Sequence, residues 1–169
     1  MKNVTRSLLP LEGVKVVDFG QYIAGPAVAM LLADLGATVV HIDPPGGDMW
    51  DSPATAILNR NKMIVSIDLK SQEGLERAHA LCAEADILIE NFRPGKLKNL
   101  GIDFAQMRTE RPELITLSLS GFASNDPLRR NWSAFDRGVV ATAWVCTCSG
   151  LHRVSIGVNP SVSRLLSAS

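Results

Sequence analysis

The chain has 169 residues, enough for one domain or for one half of a larger enzyme. Hydrophobic residues make up 46%, sufficient for a real core, and 17 Lys/Arg balance 17 Asp/Glu to a net charge of zero. That balance excludes a protein built chiefly to hold nucleic acid or an anionic membrane, since both need a basic excess. It leaves room for a local basic patch around a phosphate.

Residues 1–11 carry Lys2 and Arg6 but no apolar run long enough for a signal peptide. The longest apolar stretch, Ala27 to Ala33, is far too short to span a membrane. The three cysteines, Cys82, Cys146 and Cys148, are an odd count without a secretion signal. The expectation is reduced thiols in a cytoplasmic protein.

Val14 to Phe19 is short, valine-rich and bounded by glycines, which predicts a buried strand. Gly20 to Pro26 is a turn, with Pro26 suited to the first position of a helix, where its missing N–H is no loss. That helix is predicted over Ala27 to Leu35. It is apolar nearly all round, as a buried core helix is, and Gly36 caps it. Thr38 to Ile42 is the second strand. Pro44 to Ala56 is rich in proline, glycine and aspartate and is expected to be a loop. Met63 to Ile67 is the third strand. Ser71 caps a helix running to about Ala85, with Glu73 opposing the dipole in its first turn. Its apolar face is Leu75, Ala78, Leu81, Cys82 and Ala85. Asp86 to Glu90 is the fourth strand. The turn Arg93-Pro-Gly95 leads into short helices, and Leu114 to Leu119 is the fifth strand.

Strands alternating with helices across short turns predict an open α/β fold with a mostly parallel sheet. Ligands bind such sheets at the carboxyl ends of the strands. The turns at Gly20–Pro26, Asp43–Asp48, Asn91–Gly95 and Gly121–Pro127 all fall there. Beyond about residue 120 the pattern weakens. Ala134 to Val145 is a possible helix, and the serine-rich residues after 148 have no clear period. The expected division is a domain over residues 1–145 and an irregular tail over 146–169.

The first turn is neither Gly-x-Gly-x-x-Gly nor a P-loop, although Asp43 ends the second strand as a ribose-binding carboxylate does. A nicotinamide dinucleotide site therefore stands as one alternative. A tight turn that brings a helix close to the sheet is another.

The run Asp18-Phe-Gly-Gln-Tyr-Ile-Ala-Gly-Pro26 resembles the first signature of the family III CoA-transferases, the CaiB/BaiF type. Four more blocks follow in the family's order. They are Leu32 to Val40 with Ile42-Asp-Pro-Pro-Gly-Gly-Asp48; Asn59-Arg-Asn-Lys62 with Ser66-Ile-Asp-Leu-Lys70; Ala85 to Gly95 with Leu100-Gly101; and Pro112-Glu-Leu-Ile with Ser120-Gly-Phe122. The resemblance covers about residues 11–145. It implies a Rossmann-like large domain that opens a chain more than twice this length, in enzymes that form interlocked dimers. The implied chemistry moves CoA from an acyl-CoA to a free carboxylic acid through an aspartyl mixed anhydride. CoA is then a substrate, with no tightly bound cofactor and no metal. A non-catalytic acyl-CoA-binding subunit, paired with a second chain, is the other reading.

Carried over by position, the resemblance puts CoA contacts at Tyr22, Ile23 and Ala24, at Ile67 and Lys70, at Asn91 and Phe92, and at Asn99 and Leu100. Lys70 would meet a phosphate as a point charge, or is simply a solvated lysine before a helix. Asn91 would face CoA, or cap its own turn. Arg93, Lys96 and Lys98 add local positive charge. The chain departs from the family at Pro44, where many members have arginine, and at Asn99, where a basic residue is common. Phe135 stands before Asp136 where the racemases of the family carry a catalytic histidine. The segment expected to hold the transferase aspartate corresponds to Leu165–Ser169, and there is no acid from Arg137 to Ser169. The expectation is that no catalytic residue is present and that the chain is inactive alone. Cys146, Cys148 and His152 are a weak metal motif. His41 and His79 look like an ordinary strand-end and an ordinary helix-face histidine.

Overall fold

The structure, a computed structural model, describes residues 9–47, 53–122, 127–128 and 155–157. The expected helix over Ala134–Val145, the metal motif, and the segments around Phe135 and Leu165 lie outside the described residues.

The strands are β1 (Lys15–Asp18), β2 (Thr38–Asp43), β3 (Lys62–Ser66), β4 (Ile87–Glu90), β5 (Ile115–Ser118) and β6 (Ser155–Gly157). They form one sheet in the order β3-β2-β1-β4-β5-β6. The first five neighbours pair in parallel, and β6 runs antiparallel to β5 on the edge. The fold is the expected α/β, mostly parallel sheet. Each parallel crossover needs a connection long enough to return to the same end, and helices supply it. These are α1 (Ala24–Asp34), α2 (Pro53–Leu58), α3 (Gln72–Glu84), α4 (Lys96–Asn99) and α5 (Phe104–Glu110).

Three expectations need correcting. The segment expected as loop to Ala56 contains α2, where Pro53 occupies the first helical position and Ala, Ile and Leu extend it. Helix α1 starts earlier than expected, so Pro26 is its third residue rather than its first. The proline is tolerated because the first four helical N–H groups lack intrahelical partners. Nor is α1 buried all round. Gly25, Pro26, Ala29 and Ala33 face the sheet, while Leu31 and Leu35 are largely exposed. Small residues on the inner face let the helix axis approach the sheet closely. Gly36 follows the C-cap residue Leu35 at φ 104°, a conformation that favours glycine.

Helix α3 matches expectation. The Ser71 hydroxyl accepts the Gly74 N–H at 3.0 Å, and Glu73 lies in the first turn. Its far end is capped by Arg111, whose guanidinium donates to the carbonyls of Cys82, Ala83 and Ala85. Ala78, Cys82 and Ala85 pack with Val17, Phe19, Ile42 and Leu88 in the larger core cluster. The smaller cluster, on the α1 side, is Val16, Val39, Ile89, Ala29, Ala33 and Ala37.

Candidate functional site

The strand order sets the location. From β1 the chain moves outward to β2 and β3, then returns to place β4 and β5 on the other side of β1. The order therefore reverses between β1 and β4, and the crevice outside their carboxyl ends is where such sheets bind ligands.

The turn after β1 is held open-mouthed by its own backbone. A Cβ on Gly20 would stand 2.7 Å from the Gly25 Cα and 2.8 Å from the Pro26 Cδ, so the two ends of the turn touch. Only glycine at both positions allows that contact. Closing the turn so tightly pushes Tyr22 to φ 62°, the left-handed region a bulky side chain seldom occupies. Tyr22, Ile23 and Ala24 consequently stand exposed at the start of α1.

Across the crevice, Asn91 follows β4. Its side-chain Oδ1 accepts the Gln21 N–H at 2.7 Å, and its Nδ2 donates to the Gln21 carbonyl at 2.7 Å. This reciprocal pair is the capping alternative raised by the sequence, but the turn it fixes is the one after β1. Phe92 is buried, with the Lys96 ammonium 4.9 Å from its ring centroid. Ile67 is a core residue whose N–H donates to the Asp43 carbonyl. Lys70 and Asn99 are exposed and Leu100 is half-buried at the end of α4. The structure thus brings Tyr22–Ala24 and Asn91 to one crevice. It withdraws the side chains of Ile67 and Phe92 into the core.

Beside this crevice a shallow pocket of about 190 Å³ opens between β4, β5 and α4, lined by Glu90, Arg93, Lys98, Phe104 and Ser118 among others. Burial pushes the Glu90 carboxyl above its usual range, although the Ser118 hydroxyl and the Phe92 N–H both favour its charged form. Lys98 is paired with Asp103 at 2.8 Å. A larger cavity of about 320 Å³, lined by His79, Cys82, Met107 and Arg111 among others, lies between α3 and α5.

Sequence reasoning missed a buried ionic cluster under the β1 and β2 strand ends. Asp18 is fully buried and is the register partner of His41. Its Oδ2 accepts from His41 Nδ1 at 2.8 Å and from Lys62 Nζ at 3.1 Å, and its Oδ1 accepts the Gly20 N–H at 2.8 Å. Lys62 also donates to the Pro26 carbonyl at 2.8 Å. The other ring nitrogen of His41 lies 3.1 Å from Asp43 Oδ1. His41 is therefore no ordinary strand-end histidine. Asp43 is buried against it, not presented to a ribose, which removes the observation behind the dinucleotide reading. The available signal was period-two alternation, which puts Val39, His41 and Asp43 on one face. Among the described residues no group of histidines, cysteines and acids is arranged to hold a metal, and no helix is long and apolar enough to cross a membrane.

Comparison with known proteins agrees with this geometry. Residues 11–167 match the description of CoA-transferase family III. The CoA-transferase/lyase DddD of Marinomonas sp. (strain MWYL1) is 63% identical over 93% of this chain and 19% of its own length. The succinyl-CoA–L-malate CoA-transferase alpha subunit of Chloroflexus aurantiacus is 40% identical over 72% of this chain and 31% of its own. A crystal structure of a CAIB/BAIF family protein from Brucella suis superposes with a TM-score of 0.72 at 32% identity, covering 89% of this chain and 44% of that one. The chain spans about a fifth to a third of these curated relatives. On a match that covers most of its length, the chain belongs to CoA-transferase family III.

Proposed function

We propose that these residues form the CoA-binding part of an enzyme that transfers CoA from an acyl-CoA to a free carboxylic acid. The observation that carries this reading is the Asn91–Gln21 lock at the reversal point of the sheet. It presents Tyr22, Ile23 and Ala24 to the crevice. Exposed Lys70 and Arg93 offer positive charge to the CoA phosphates. The family pattern adds Asn99 and Leu100, and also Ile67 and Phe92, whose N–H groups already donate to the Asp43 carbonyl and the Glu90 carboxylate. The names of relatives support the substrate class, since the Chloroflexus enzyme is named for succinyl-CoA and malate.

In the proposed chemistry an aspartate oxygen attacks the thioester carbonyl and the CoA thiolate leaves, giving an acyl-aspartyl anhydride. The thiolate then attacks the aspartyl carbonyl of that anhydride, releasing the donor acid and leaving an aspartyl-CoA thioester. The acceptor carboxylate attacks this thioester, expelling the thiolate and forming a new aspartyl anhydride. The thiolate attacks the acyl carbonyl of that anhydride to give the product acyl-CoA and the free aspartate. Residues 137–169 contain no aspartate or glutamate. The nucleophile is accordingly supplied by polypeptide outside these residues, and the assembly works as a cytoplasmic dimer. The same acid-free stretch favours a second reading, a non-catalytic acyl-CoA-binding module.

Calorimetric titration with CoA tests the binding reading. Binding should be measurable, and Lys70→Ala should weaken it by about two- to fivefold, the scale of one exposed phosphate contact. A flat titration overturns the reading. Turnover of an acyl-CoA and a carboxylic acid by the chain alone would overturn the claim that the nucleophile comes from elsewhere.

A further inference from the structure

The buried cluster beneath the first turn has one unsettled proton, and its geometry decides where that proton is. Both ring nitrogens of His41 face carboxylate oxygens, Nδ1 at 2.8 Å from Asp18 and Nε2 at 3.1 Å from Asp43. An ionised carboxylate only accepts, and a neutral imidazole has one N–H. A neutral His41 would therefore set a ring lone pair against a carboxylate lone pair in a site closed to water. A doubly protonated ring donates to both.

The charge balance agrees. Among the described residues, the charged groups facing the ring are Asp18 from β1, Asp43 from its own strand and Lys62 from β3. Two carboxylates and one ammonium leave a buried negative charge, which the imidazolium cancels. Burial alone would lower the histidine's proton affinity, as Lys62 does. The bond to Asp18 and the charges of Asp18 and Asp43 outweigh these, and the ring titrates above its ordinary range.

The ring's position gives the proton a task. Asp18 simultaneously holds the Gly20 N–H, where the first turn begins, and Lys62, which holds the Pro26 carbonyl where it ends. Asp43 opens the turn after β2. The imidazolium is the cross-piece between these two strand ends.

We propose that His41 is a positioning residue for acyl-CoA, a doubly protonated clamp on the carboxyl ends of β1 and β2 whose loss of one proton loosens the first turn. This rests on the CoA reading for its ligand but not for its protonation. Because the folded proton affinity is raised, the clamp is complete below the ordinary histidine value and is lost as pH rises through the folded one.

Two ligand-free measurements on the 169-residue chain judge the clamp. Imidazole ¹⁵N spectra should show both nitrogens of His41 protonated at neutral pH, with deprotonation above the ordinary value of about 6.5. The protection factor of the Gly20 amide should fall by about tenfold across that same step. A bare ring nitrogen at pH 6, or Gly20 protection that ignores the step, overturns the proposal. A third measurement adds the ligand. CoA affinity should drop by about tenfold more from pH 6 to pH 9 in the unaltered chain than in His41→Lys, whose ammonium ordinarily titrates at about 10.4. Steps from CoA's own groups are common to both chains and cancel. Identical pH profiles in the two overturn the link to the ligand. If CoA binds at no pH the CoA reading fails, and the spectra and exchange still decide the clamp. If His41→Lys does not fold, the unaltered chain still supplies both ligand-free outcomes.

Discussion

The two faces of the sheet are built differently, although each strand supplies both. Toward α3, Val17, Phe19, Ile42 and Leu88 keep the interior apolar from one end of the strands to the other. Phe19 extends it at the top, 6.1 Å from the Phe104 ring. Toward α1, the residues one step along begin the same way, with Val16, Val39 and Ile89 against alanines. They then turn ionic, with Asp18, His41 and Asp43 in the places where the other face has Phe19 and Ile42. One face is an apolar core along β1 and β2, with polar groups at Thr116 and at Glu90 where β4 ends. The other is a core at the bottom and a polar foundation for a turn at the top. Buried charges are an expensive way to fill space, so their presence marks the end of the sheet where position matters more than stability.

The sharpest break in that comparison is Asp18→Ala. It leaves buried Lys62 and His41 without their shared acceptor and frees the Gly20 N–H. Removing one partner of a buried ionic group costs about 3–5 kcal/mol. Urea denaturation should show a loss of that size, a large share of the total stability of a domain. On the apolar face, Leu88→Ala should lose about 2–4 kcal/mol through transfer and cavity terms. The two differ in pH response. The Leu88 effect should be constant with pH. The ionic face should weaken with rising pH, because His41 titrates above its ordinary value and its favourable charged form is lost there. Glu90 adds in the same direction. Burial raises it, so its contribution is present below the ordinary carboxyl range and lost as pH climbs through its folded value. Stability rising with pH through the neutral range would break this account.

Gly20→Ala comes next. The added Cβ meets Asp18 Oδ1 and the Gly25 Cα at 2.7 Å, and backbone cannot step aside as a flexible side chain can. Overpacking of this kind costs about 1–3 kcal/mol. The effect on CoA affinity should exceed the effect on stability, since the turn rather than the core is displaced. Cys82 supplies a control on the apolar face. Burial pushes its thiol up to about 12, so thiol reagents should label it only on unfolding.

How far the two faces were legible in the sequence differs for a physical reason. The strands announced themselves as short valine- and isoleucine-rich runs punctuated by glycine, and α3 by its serine cap and its Ala78–Cys82 face. These are local signals. Helix α2 was hidden because the proline and glycines before it resemble a loop, and the start of α1 because Pro26 marked a later first turn than the one formed. The ionic cluster was only half legible, since alternation puts His41 and Asp43 on one face of β2 but does not bring Asp18 to them. Asp18 and His41 become neighbours only through the register of β1 on β2, which no local pattern specifies. Of the site residues, the exposure of Tyr22–Ala24 followed from the turn. The inward side chains of Ile67 and Phe92 did not, because motif position says nothing of which way a side chain points.

The smallest expected effect isolates burial from charge within one short block. Arg60 and Lys62 stand two residues apart, and each bonds an aspartate on the α1 side of the fold. Arg60 makes a bidentate contact with Asp34 at the end of α1, supported by Asn61 at 2.9 Å. That pair is open to solvent, whereas the side chains of Lys62 and Asp18 are wholly enclosed. Water and ions screen the first pair and cannot reach the second, with a Debye length of about 10 Å at 0.1 M salt and about 3 Å at 1 M. Arg60→Ala should therefore produce a minor loss of stability that shrinks as salt is raised. Lys62→Met should produce a loss that salt leaves unchanged, because the Asp18 carboxylate stays buried in either medium. Equal salt dependence in the two denaturation series would mean that Lys62 is hydrated, and the ionic face would then be a surface rather than a foundation for the first turn.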